Sequence, residues 1–573
     1  MRYVVSPRGG RRAHRDITSA LRAAAERNRP AVIEITSGHY EESLVVRGDV
    51  RLIATDGPGS VTVSGRSRIL QTFGTVHVDG LHLVGEGLEV VGCGSGTLTL
   101  EHTWIRARAG ADRAVGPAVF ARPHTSVTLR DSNVAHGRVL FDGSQGLVER
   151  CRFTDAANNA IAAIGGARVV VRGSRVEGSR VHGLLVSDAH AEISDSGLTG
   201  TGSAALAADA RAELTVRSCT ITDVHGEGIL FAEQSRGTVD GTHVTGARHG
   251  ISVTSGADPL VRHSRFAACR DTGVYVRETG RGRFQDCDIL DAGNVAVYST
   301  KGGTPEVLRG RIAGGNVGIA VTEGARGRFG HVRIEDLTGV ALRVFDESGA
   351  VFEHLRVERC QAGLEVRGNG GTTADLTDTA FHDFGLATLA VAGEARVTAR
   401  NVTGERGVIG FSAGEQAQLI LNDCAATGTS TGGVVAFGQA RLVARRLRVT
   451  GSDGIGLTGS GSASVDIADS DFAACALAGA TFTEECTGRL VNCSVTDSKG
   501  RGVVHNGLVD LVSLRTSLPV VRQAEQPAEP APAPVIVNGL LIQGDVHGGQ
   551  FAWQNDRVEQ HQHRQTEGEE PSP

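Results

Sequence analysis

The stretch Gly250-Ile-Ser-Val-Thr254 is one of a series of short apolar runs that recur along the chain. Its neighbours read Gly228-Ile-Leu-Phe, Gly273-Val-Tyr-Val, Val295-Ala-Val-Tyr and Gly318-Ile-Ala-Val, and successive runs start 22 or 23 residues apart. Self-similarity at a period of about 20–50 residues is the signature of a solenoid or another repeat array. The repeat therefore takes precedence over chain length, which alone would suggest several domains.

A second ladder of small-x-apolar triplets runs in phase with the first. Its members are Ser174-Arg-Val176, Ser196-Gly-Leu198, Cys219-Thr-Ile221, Thr242-His-Val244, Ser264-Arg-Phe266, Cys287-Asp-Ile289, Gly310-Arg-Ile312, Ser470-Asp-Phe472 and Cys493-Ser-Val495. Short runs rich in Val, Ile and Thr, separated by Gly, Asp, Asn and Ser, are typical of strands and turns. We therefore predict an all-β chain, a right-handed parallel β-helix with three short strands per turn and about 4.8 Å between turns.

The composition fits a narrow interior. Glycine accounts for 78 of 573 residues, which we assign to the turns, and aromatic residues make up only 4%. The net charge of −6 gives no global field that would favour nucleic acid or an anionic membrane. We therefore expect neither partner, and the sequence indicates no cofactor.

The ten cysteines include no CxxC or CxxH pair, which argues against a zinc site. Several occupy the small position of the second ladder, so we predict an interior row of buried thiols. The alternative is a disulfide framework, which would require oxidising export. Because the N-terminus has no signal-like apolar region and no apolar run approaches 18 residues, we expect a soluble, cytoplasmic protein with reduced thiols.

The ends of the chain differ from the repeats. Residues 1–50 are predicted to form an N-terminal cap and the first turns, and 51–508 the β-helix. We predict a C-terminal cap over 509–522, a Pro/Ala/Glu linker over 523–534 and a tail over 535–573. The tail combines a short apolar segment with a polar end that we expect to be disordered.

The N-terminal module contains the one predicted helix. Asp16 is a good N-cap for a helix from Ile17 to about Arg27, with Leu21 on its apolar face. A solenoid needs a cap because its first turn exposes unpaired backbone and apolar interior. We therefore predict that this helix closes the N-terminal end.

The order of elements at the N-terminus resembles a known group of proteins. The matching residues are Ile17, Ala20, Leu21, Ile33, Gly38, Tyr40, Glu42 and Leu44. They resemble the start of pectinesterase-like and copper-maturation-type proteins of the pectin-lyase-like superfamily. The later repeats, to about residue 510, are similar to carbohydrate-binding and sugar-hydrolase-associated β-helix repeats, which also occur in some F-box proteins. The resemblance implies the fold and says little about function.

No motif of the enzymes on this fold is present, so we name no catalytic or metal-binding residue. Asp286 and Asp288 flank Cys287 on what we expect to be one strand, which is more often a solvated face than a metal site. We favour the interpretation of Asp258, His249, His263 and Arg277 as a turn residue and exposed strand residues; the alternative is that the two histidines and Arg277 converge across neighbouring turns. The tail histidines His547, His561 and His563 indicate at most a weak metal site.

Phe551 and Trp553 are the candidate binding residues, since a free tail would expose both rings. We expect the tail or a solenoid face to bind a protein partner, and the tail to allow self-association. The leading hypothesis is a non-catalytic β-helix scaffold. The alternatives are a polysaccharide lyase or epimerase, and a glycan-binding module without catalysis.

Overall fold

A computed structural model describes residues 1–9, 13–66, 68–86, 89–108 and 116–523, together with the backbone of three short tail strands. The described chain is a parallel β-solenoid of about 21 turns with one short helix near its N-terminus. Each turn contributes one strand to each of three parallel sheets, as the repeat predicts. Among the described residues, no helix is long and apolar enough to cross a membrane.

The first sheet contains the runs that carry the Gly250 pattern, in order along the solenoid. Its strands, or strand halves where one strand bends between two sheets, are Leu44–Ala54, Leu70–Asp79, Val91–Glu101, Val119–Ala121, Val139–Asp142, Ile161–Ile164, Leu184–Ser187, Leu206–Asp209, Glu227–Phe231, His249–Val253, Thr272–Val276, Asp288–Ser299, Arg311–Val321, Arg333–Phe345, Arg356–Gly368, Ala387–Gly393, Ile409–Ala413, Gly432–Ala436, Ile455–Gly459, Ala478–Phe482, Arg501–His505 and Val520–Arg522.

The second sheet follows the first within each turn. It shares the C-terminal halves of Leu44–Ala54, Leu70–Asp79 and Val91–Glu101. Its other strands are Arg2–Val5, Ala13–His14, Ala31–Ile35, Ser126–Arg130, Gln145–Glu149, Arg168–Arg172, His190–Ser194, Glu213–Arg217, Arg236–Asp240, Asp258–Arg262, Arg283–Gln285, Glu306–Leu308, Arg326–Gly330, Gly349–Glu353, Thr373–Phe384, Arg396–Glu405, Gln418–Asn422, Arg441–Arg445, Ser464–Ala468, Thr487–Val491 and Val509–Val512.

The third sheet leads back to the first. It shares the N-terminal halves of Asp288–Ser299, Arg311–Val321, Arg333–Phe345 and Arg356–Gly368, and the C-terminal halves of Thr373–Phe384 and Arg396–Glu405. Its other strands are Gly38–Glu41, Val61–Gly65, Leu81–Glu86, Trp104–Arg108, Asn133–Ala135, Arg152–Ala156, Arg175–Ser179, Gly197–Thr201, Thr220–Thr222, His243–Thr245, Arg265–Ala267, Ala425–Thr427, Arg448–Thr450, Asp471–Ala473, Ser494–Thr496 and Arg515–Thr516.

The interior is one continuous apolar core, because equivalent side chains stack on those of the turns above and below. Phe329 and Phe352, for example, occupy the same position in adjacent turns, with ring centroids 5.4 Å apart and an interplanar angle of 22°. Both side chains are fully buried. Inward positions are therefore specified by packing, whereas outward positions are free to vary.

The interchange of Ser, Thr and Cys in the second ladder has a local cause. The residue before each of these positions turns the chain; Asp195, for example, has φ of +51°. The next side chain then bonds back to the carbonyl two residues earlier, as in Ser196 Oγ to Ser194 O at 2.7 Å and Cys287 Sγ to Gln285 O at 3.3 Å. A small side chain with a donor fits this corner in many turns, and Gly310, Val332, Leu355 and Leu447 occupy it in others.

All ten cysteines are free and buried, which confirms the predicted interior thiols. Burial raises the pKa of Cys219 and Cys287 to about 11, and that of Cys269 to about 12. A thiol with such a pKa carries almost no thiolate at neutral pH, so these side chains act as small apolar groups.

The helix, α1, spans Ile17–Glu26 and confirms the predicted cap. The Asp16 carboxylate accepts from the backbone N–H of Ser19 at 2.6 Å, as an N-cap residue does. Glu42, from the next turn, accepts from the N–H groups of Ile17 and Thr18 at 2.9 and 2.8 Å. Because Ile17 and Leu21 are buried against the first turn, α1 covers the interior at this end.

The C-terminal end of the solenoid has less of its interior covered than the N-terminal end. Residues 509–522, predicted as a cap, form three short strands that pair with the turn before them. Leu508, Val512 and Val520 are exposed there. In the tail, Val535–Val537, Leu540–Gln543 and Gln550–Trp553 form an antiparallel sheet. Residues 524–534 of the predicted linker lie outside the described residues.

Candidate glycan-binding surface

The second sheet presents a charged outer surface. Arg and carboxylate side chains from neighbouring turns pair along it, as in Arg328 Nη2 to Glu353 Oε2 at 2.8 Å and Arg262 Nε to Asp240 Oδ2 at 3.0 Å. The residues of these pairs are about a quarter to more than half exposed. Such pairs keep a flat sheet well solvated and contribute little to stability.

The third sheet carries a denser network of the same kind. Glu335 and Glu358 are nearly buried under surrounding guanidinium groups, with Arg311 Nε 2.7 Å and Arg359 Nη2 3.1 Å from Glu335. These arginines hold the pKa of Glu335 below its ordinary value, although burial alone would raise it. The carboxylates are satisfied within the protein, so the network does not point to a ligand.

The outer surface of the first sheet differs from both. One residue per turn points outward along a single row, which we call the outer row. Its members, matched by strand register, are Phe120, Leu140, Ala162, Leu185, Ala207, Leu230, Ser252, Tyr275, Tyr298, Ala320, Arg343, Glu365, Ala390, Ser412 and Val435. Most of them are apolar, aromatic or hydroxyl-bearing, which is unusual for an outward row.

Large and small side chains alternate along the N-terminal part of the outer row. Ala162, Ala207 and Ser252 are 1–2% exposed although they point away from the core. Their larger neighbours one turn away, such as Leu185 and Leu230, cover them. The row is therefore a closely packed apolar strip, and not a set of isolated exposed residues.

An aromatic ladder stands at the centre of the outer row. Tyr275 and Tyr298 stack with centroids 5.5 Å apart and an interplanar angle of 13°. His249 continues the ladder on the other side of Tyr275, at 4.9 Å and 37°. The guanidinium of Arg277 lies 5.6 Å from the centre of the Tyr275 ring. Stacked rings on successive turns form a flat apolar platform parallel to the solenoid axis.

Three polar atoms beside the ladder have no hydrogen-bond partner among the described residues. Nδ1 of His249, Oγ of Ser252 and Nε of Arg277 are all buried. The other ring nitrogen of His249 lies 4.0 Å from Asp271 Oδ2, which is too far for a hydrogen bond. Burial lowers the pKa of His249, despite the opposing effect of Asp271, so the ring is neutral at neutral pH. Unsatisfied buried polar groups of this kind indicate a place for ligand or water.

Hydroxyl groups and paired charges line one side of the ladder. Oγ1 of Thr322 lies 3.2 Å from the Tyr298 hydroxyl oxygen, and Oγ1 of Thr300 donates to Glu323 at 3.0 Å. Thr254 Oγ1 donates to Glu278 at 2.9 Å, and Arg277 pairs with the same carboxylate at 2.6 Å. Burial raises the pKa of Tyr275, so its hydroxyl stays protonated and can both donate and accept.

A pocket of about 180 Å³ follows the ladder along the same surface. Arg343 and Glu365, paired at 3.1 Å, lie in it beside Asn316 and Gln361, and Leu386 adds an apolar edge. The pocket is smaller than a typical small-molecule site, so it suits one branch or ring of a larger ligand. It also joins the ladder to a further apolar patch around Ala390 and Val435.

A larger cavity of about 590 Å³ lies over the second sheet near Arg168, His190 and Glu213. Its walls are largely solvent-exposed, and His190 pairs with Glu213 at 3.3 Å. It holds no stacked rings and, among the described residues, no buried orphan polar group at these positions. We therefore take the surface of the first sheet as the candidate site.

The structure separates the residues that the alternative interpretation brings together. His249 and Arg277 both flank Tyr275, but His263 occupies the turn after the second sheet and contacts Asp240 at 3.0 Å. Including His263 was wrong, because its φ of +47° places it at a corner and not on the first sheet.

The Asp286 and Asp288 pair also differs from its prediction. Asp286 lies in a turn with φ of +54°, where it pairs with Arg309 at 3.1 Å, and only Asp288 is on a strand. Among the described residues, no group of three or more His, Cys, Asp or Glu is placed to hold a metal ion.

The tail candidates lie largely outside the described residues. The backbone of Gln550–Trp553 is a strand, but the side chains of Phe551 and Trp553 are not described, and neither are His547, His561 and His563. Sequence reasoning missed Tyr275 and Tyr298 as site residues. Two tyrosines 23 residues apart, in a chain with only four, were the available signal.

Comparison with known families gives four overlapping matches to the model described as "Right handed beta helix region". They cover residues 137–266, 204–307, 258–403 and 362–509, which together amount to about two thirds of the chain. A search of curated protein sequences found no match.

Solved structures match this chain at low identity and low TM-score. The A-module of a mannuronan C-5 epimerase from Azotobacter vinelandii is 10% identical, covering 89% of this chain and 95% of its own, with a TM-score of 0.24. An α-1,3-glucanase catalytic unit from Streptomyces thermodiastaticus is 14% identical, covering 74% and 64%, with a TM-score of 0.24. An alginate lyase is 10% identical, covering 91% and 99%, with a TM-score of 0.30. Identities and TM-scores this low do not show the substrate or the activity of this chain.

Proposed function

The chain belongs to the right-handed β-helix family, and we propose that it is a binding protein whose first-sheet surface holds an extended glycan. The observation that carries this proposal is the stacked ladder of His249, Tyr275 and Tyr298. Fold alone does not assign function, so the argument rests on the chemistry of this surface.

The ladder suits a sugar because a pyranose ring has a face of C–H groups that packs on an aromatic ring. Tyr275 and Tyr298 offer such faces on two successive turns, about 4.8 Å apart along the axis. A polysaccharide lying along the solenoid axis would contact several turns in succession. The apolar strip before the ladder and the pocket after it extend the contact in both directions.

Stacking on an aromatic ring does not determine how a sugar ring is rotated in its own plane. Polar groups at the edge of the ladder can determine that orientation. Nδ1 of His249 and Oγ of Ser252 match hydroxyl groups of a sugar in chemistry, but both atoms are buried, so a neighbouring side chain must move before a ligand reaches them. A ligand that bonds both would remove the cost of leaving them buried without partners. Thr322 and Tyr298 add further hydroxyls on the same surface.

The test is binding of Tyr275→Ala and Tyr298→Ala to immobilised polysaccharides, measured against the unaltered protein. We expect each change to weaken binding at least tenfold, about 1.4 kcal/mol. Trp104→Ala removes an exposed aromatic ring from the third sheet and is the matched control. Equal loss from Trp104→Ala, or no loss from either tyrosine variant, would contradict the proposal.

A polysaccharide lyase or epimerase is the second candidate. One observation favours it: a neutral imidazole, a phenol and a guanidinium, from His249, Tyr275 and Arg277, share the ladder. These are groups that can move a proton and stabilise a developing charge. If the protein is an enzyme, incubation with its glycan forms unsaturated ends or inverts a sugar carbon, visible by ultraviolet absorbance or NMR, and His249→Gln abolishes the change.

We also propose that the tail recruits a protein partner or a second copy, while the solenoid stands without it. Support comes from the apolar sequence of Val535–Val537 and Leu540–Gln543 after a Pro-rich stretch. The test is truncation after Gln523, whose N–H donates to the carbonyl of His505 in the preceding turn. The truncated protein should keep its melting temperature and lose a partner or an oligomeric state. Unfolding of the truncated protein, or no change in either property, would contradict this proposal.

A further inference from the structure

The charges along the proposed site give no positive excess. Over the turns from residue 248 to residue 415, five cationic side chains lie on or beside the outer row together with six carboxylates. The cations are Arg248, Arg277, Lys301, Arg343 and Arg367, and the carboxylates are Asp271, Glu278, Glu323, Asp346, Glu365 and Glu415. This surface therefore has no net positive charge with which to attract an anion.

Three of the four arginines on this surface are each held by a carboxylate, although Nε of Arg277 keeps no hydrogen-bond partner among the described residues. Arg277 lies 2.6 Å from Glu278, Arg343 lies 3.1 Å from Glu365, and Arg367 contacts Glu415 at 3.3 Å. An acidic glycan, which carries one carboxylate on each uronate ring, needs guanidinium or ammonium groups that are free to bind it. If an acidic glycan took an arginine from its existing partner, that carboxylate would lose its cation. The net gain in binding free energy would therefore be small.

The uncharged groups on the same surface fit a different ligand. Asn294, Asn316 and Gln361 occupy equivalent places at the start of the first-sheet strands, and their amides both donate and accept. With the free Nδ1 of His249 and Oγ of Ser252, they form a set of neutral hydrogen-bonding groups beside an aromatic platform. A sugar that carries only hydroxyl groups is complementary to this set.

We infer that the ligand of the first-sheet surface is an uncharged polysaccharide and not a uronate polymer. This inference rests on the proposed glycan-binding function and narrows it to one chemical class. The stacked tyrosines bind the apolar ring face, the neutral donors and acceptors bind hydroxyl groups, and the internal ion pairs remain intact.

The first experiment compares neutral glucan and mannan oligosaccharides with oligomers of mannuronate and galacturonate of the same length, using the full chain. We expect binding to a neutral oligomer that changes less than twofold between low and high salt, and at least tenfold weaker binding to every uronate. Uronate binding that weakens as salt rises overturns the inference and leaves glycan binding intact. Failure to bind either class overturns the proposed function, and the inference with it.

The second experiment frees a cation. Glu365→Gln leaves Arg343 without its carboxylate partner, so we expect at least a threefold gain in uronate binding at low salt. Glu353→Gln makes the same charge change beside Arg328 on the second sheet and is the matched control. The same gain in both variants, or no gain in Glu365→Gln, counts against the pairing argument, because net charge or other contacts would then decide the selectivity.

Discussion

The outer surfaces of the first and second sheets are built on the same backbone and cover the same core, yet they carry opposite chemistry. On the first sheet, Leu185, Ala207 and Leu230 continue into the tyrosine ladder. On the second sheet, outward positions of the same turns hold charged residues such as Glu213 and Arg236. Because β-helix geometry imposes only the inward residues, the shared backbone does not account for the difference between the two surfaces.

The contrast also extends to how polar groups are satisfied. Carboxylates on the second and third sheets, such as Glu353 and Glu335, have arginine partners within the protein. On the first sheet, His249 and Ser252 keep buried polar atoms without partners among the described residues. Buried polar atoms without partners also occur on the third sheet, at Ser179 and Thr201, so the contrast lies in the carboxylate–arginine pairs of one surface and the stacked rings beside His249 and Ser252 on the other.

The largest predicted effect concerns the interior that both surfaces share. The ten thiols should react with a thiol reagent at least 100-fold more slowly in the native protein than in denaturant. Burial excludes the reagent, and a pKa of about 11 for thiols such as Cys219 leaves little thiolate to react. The measurement is the rate of labelling at pH 8. Fast labelling of most thiols in native buffer would mean that the turns open readily.

The second prediction compares one position on each surface. Ala207→Glu should destabilise the protein by about 1–3 kcal/mol, because a long charged side chain must displace the leucines that cover this site. Thr238→Glu, on the second sheet, should change stability by less than about 0.5 kcal/mol, as a solvated position allows. Denaturant unfolding monitored by circular dichroism measures both. Equal effects would remove the distinction between the surfaces.

The third prediction uses pH. Burial lowers the native pKa of His249 below its ordinary value of about 6.5, so the unfolded chain binds a proton before the native state does. This contribution to stability is complete above pH of about 6.5 and is lost as the pH falls through the native pKa, by about 1.4 kcal/mol for each unit of depression. His249→Gln should therefore show a smaller fall in melting temperature between pH 7 and pH 5. An unchanged fall would assign the pH dependence to other groups, such as His182.

The smallest predicted effect is on an exposed turn. Arg446 and Asp423 pair at 2.7 Å between adjacent turns, but their side chains are 59% and 51% exposed. Solvent screens such a pair, so Arg446→Ala should leave the melting temperature unchanged within error. A clear drop, measured by scanning calorimetry in low and high salt, would show that these turn pairs contribute to the fold.

Much of the fold was predictable because the physical constraints repeat every turn. The spacing of the Gly250-type runs predicted the parallel coil, and the Ser/Thr/Cys position predicted buried thiols such as Cys287. Asp16 predicted the start of α1, since a capping carboxylate acts on N–H groups only three residues away. These are local or periodic signals, which a single sequence contains in full.

The site was less predictable because it depends on strand register. The apolar runs that begin at Gly273 and Val295 place Tyr275 third and Tyr298 fourth, which suggests different rows. In the structure Thr272 pairs with Val295, so the two tyrosines occupy equivalent positions and stack. In a strand, a shift of one residue sends a side chain to the opposite face, so counting from run starts could not establish the ladder.

The sequence by itself determined the repeat, the β-helix, the capping helix and the chemistry of the interior, because these follow from periodicity and from contacts between near neighbours. Only the tertiary structure decided that His249, Tyr275 and Tyr298 share one surface, that His263 does not, and that Arg343 is neutralised by Glu365. Those facts depend on which residues from different turns lie side by side, and this is set by the register of stacked turns and by the corner residues between them.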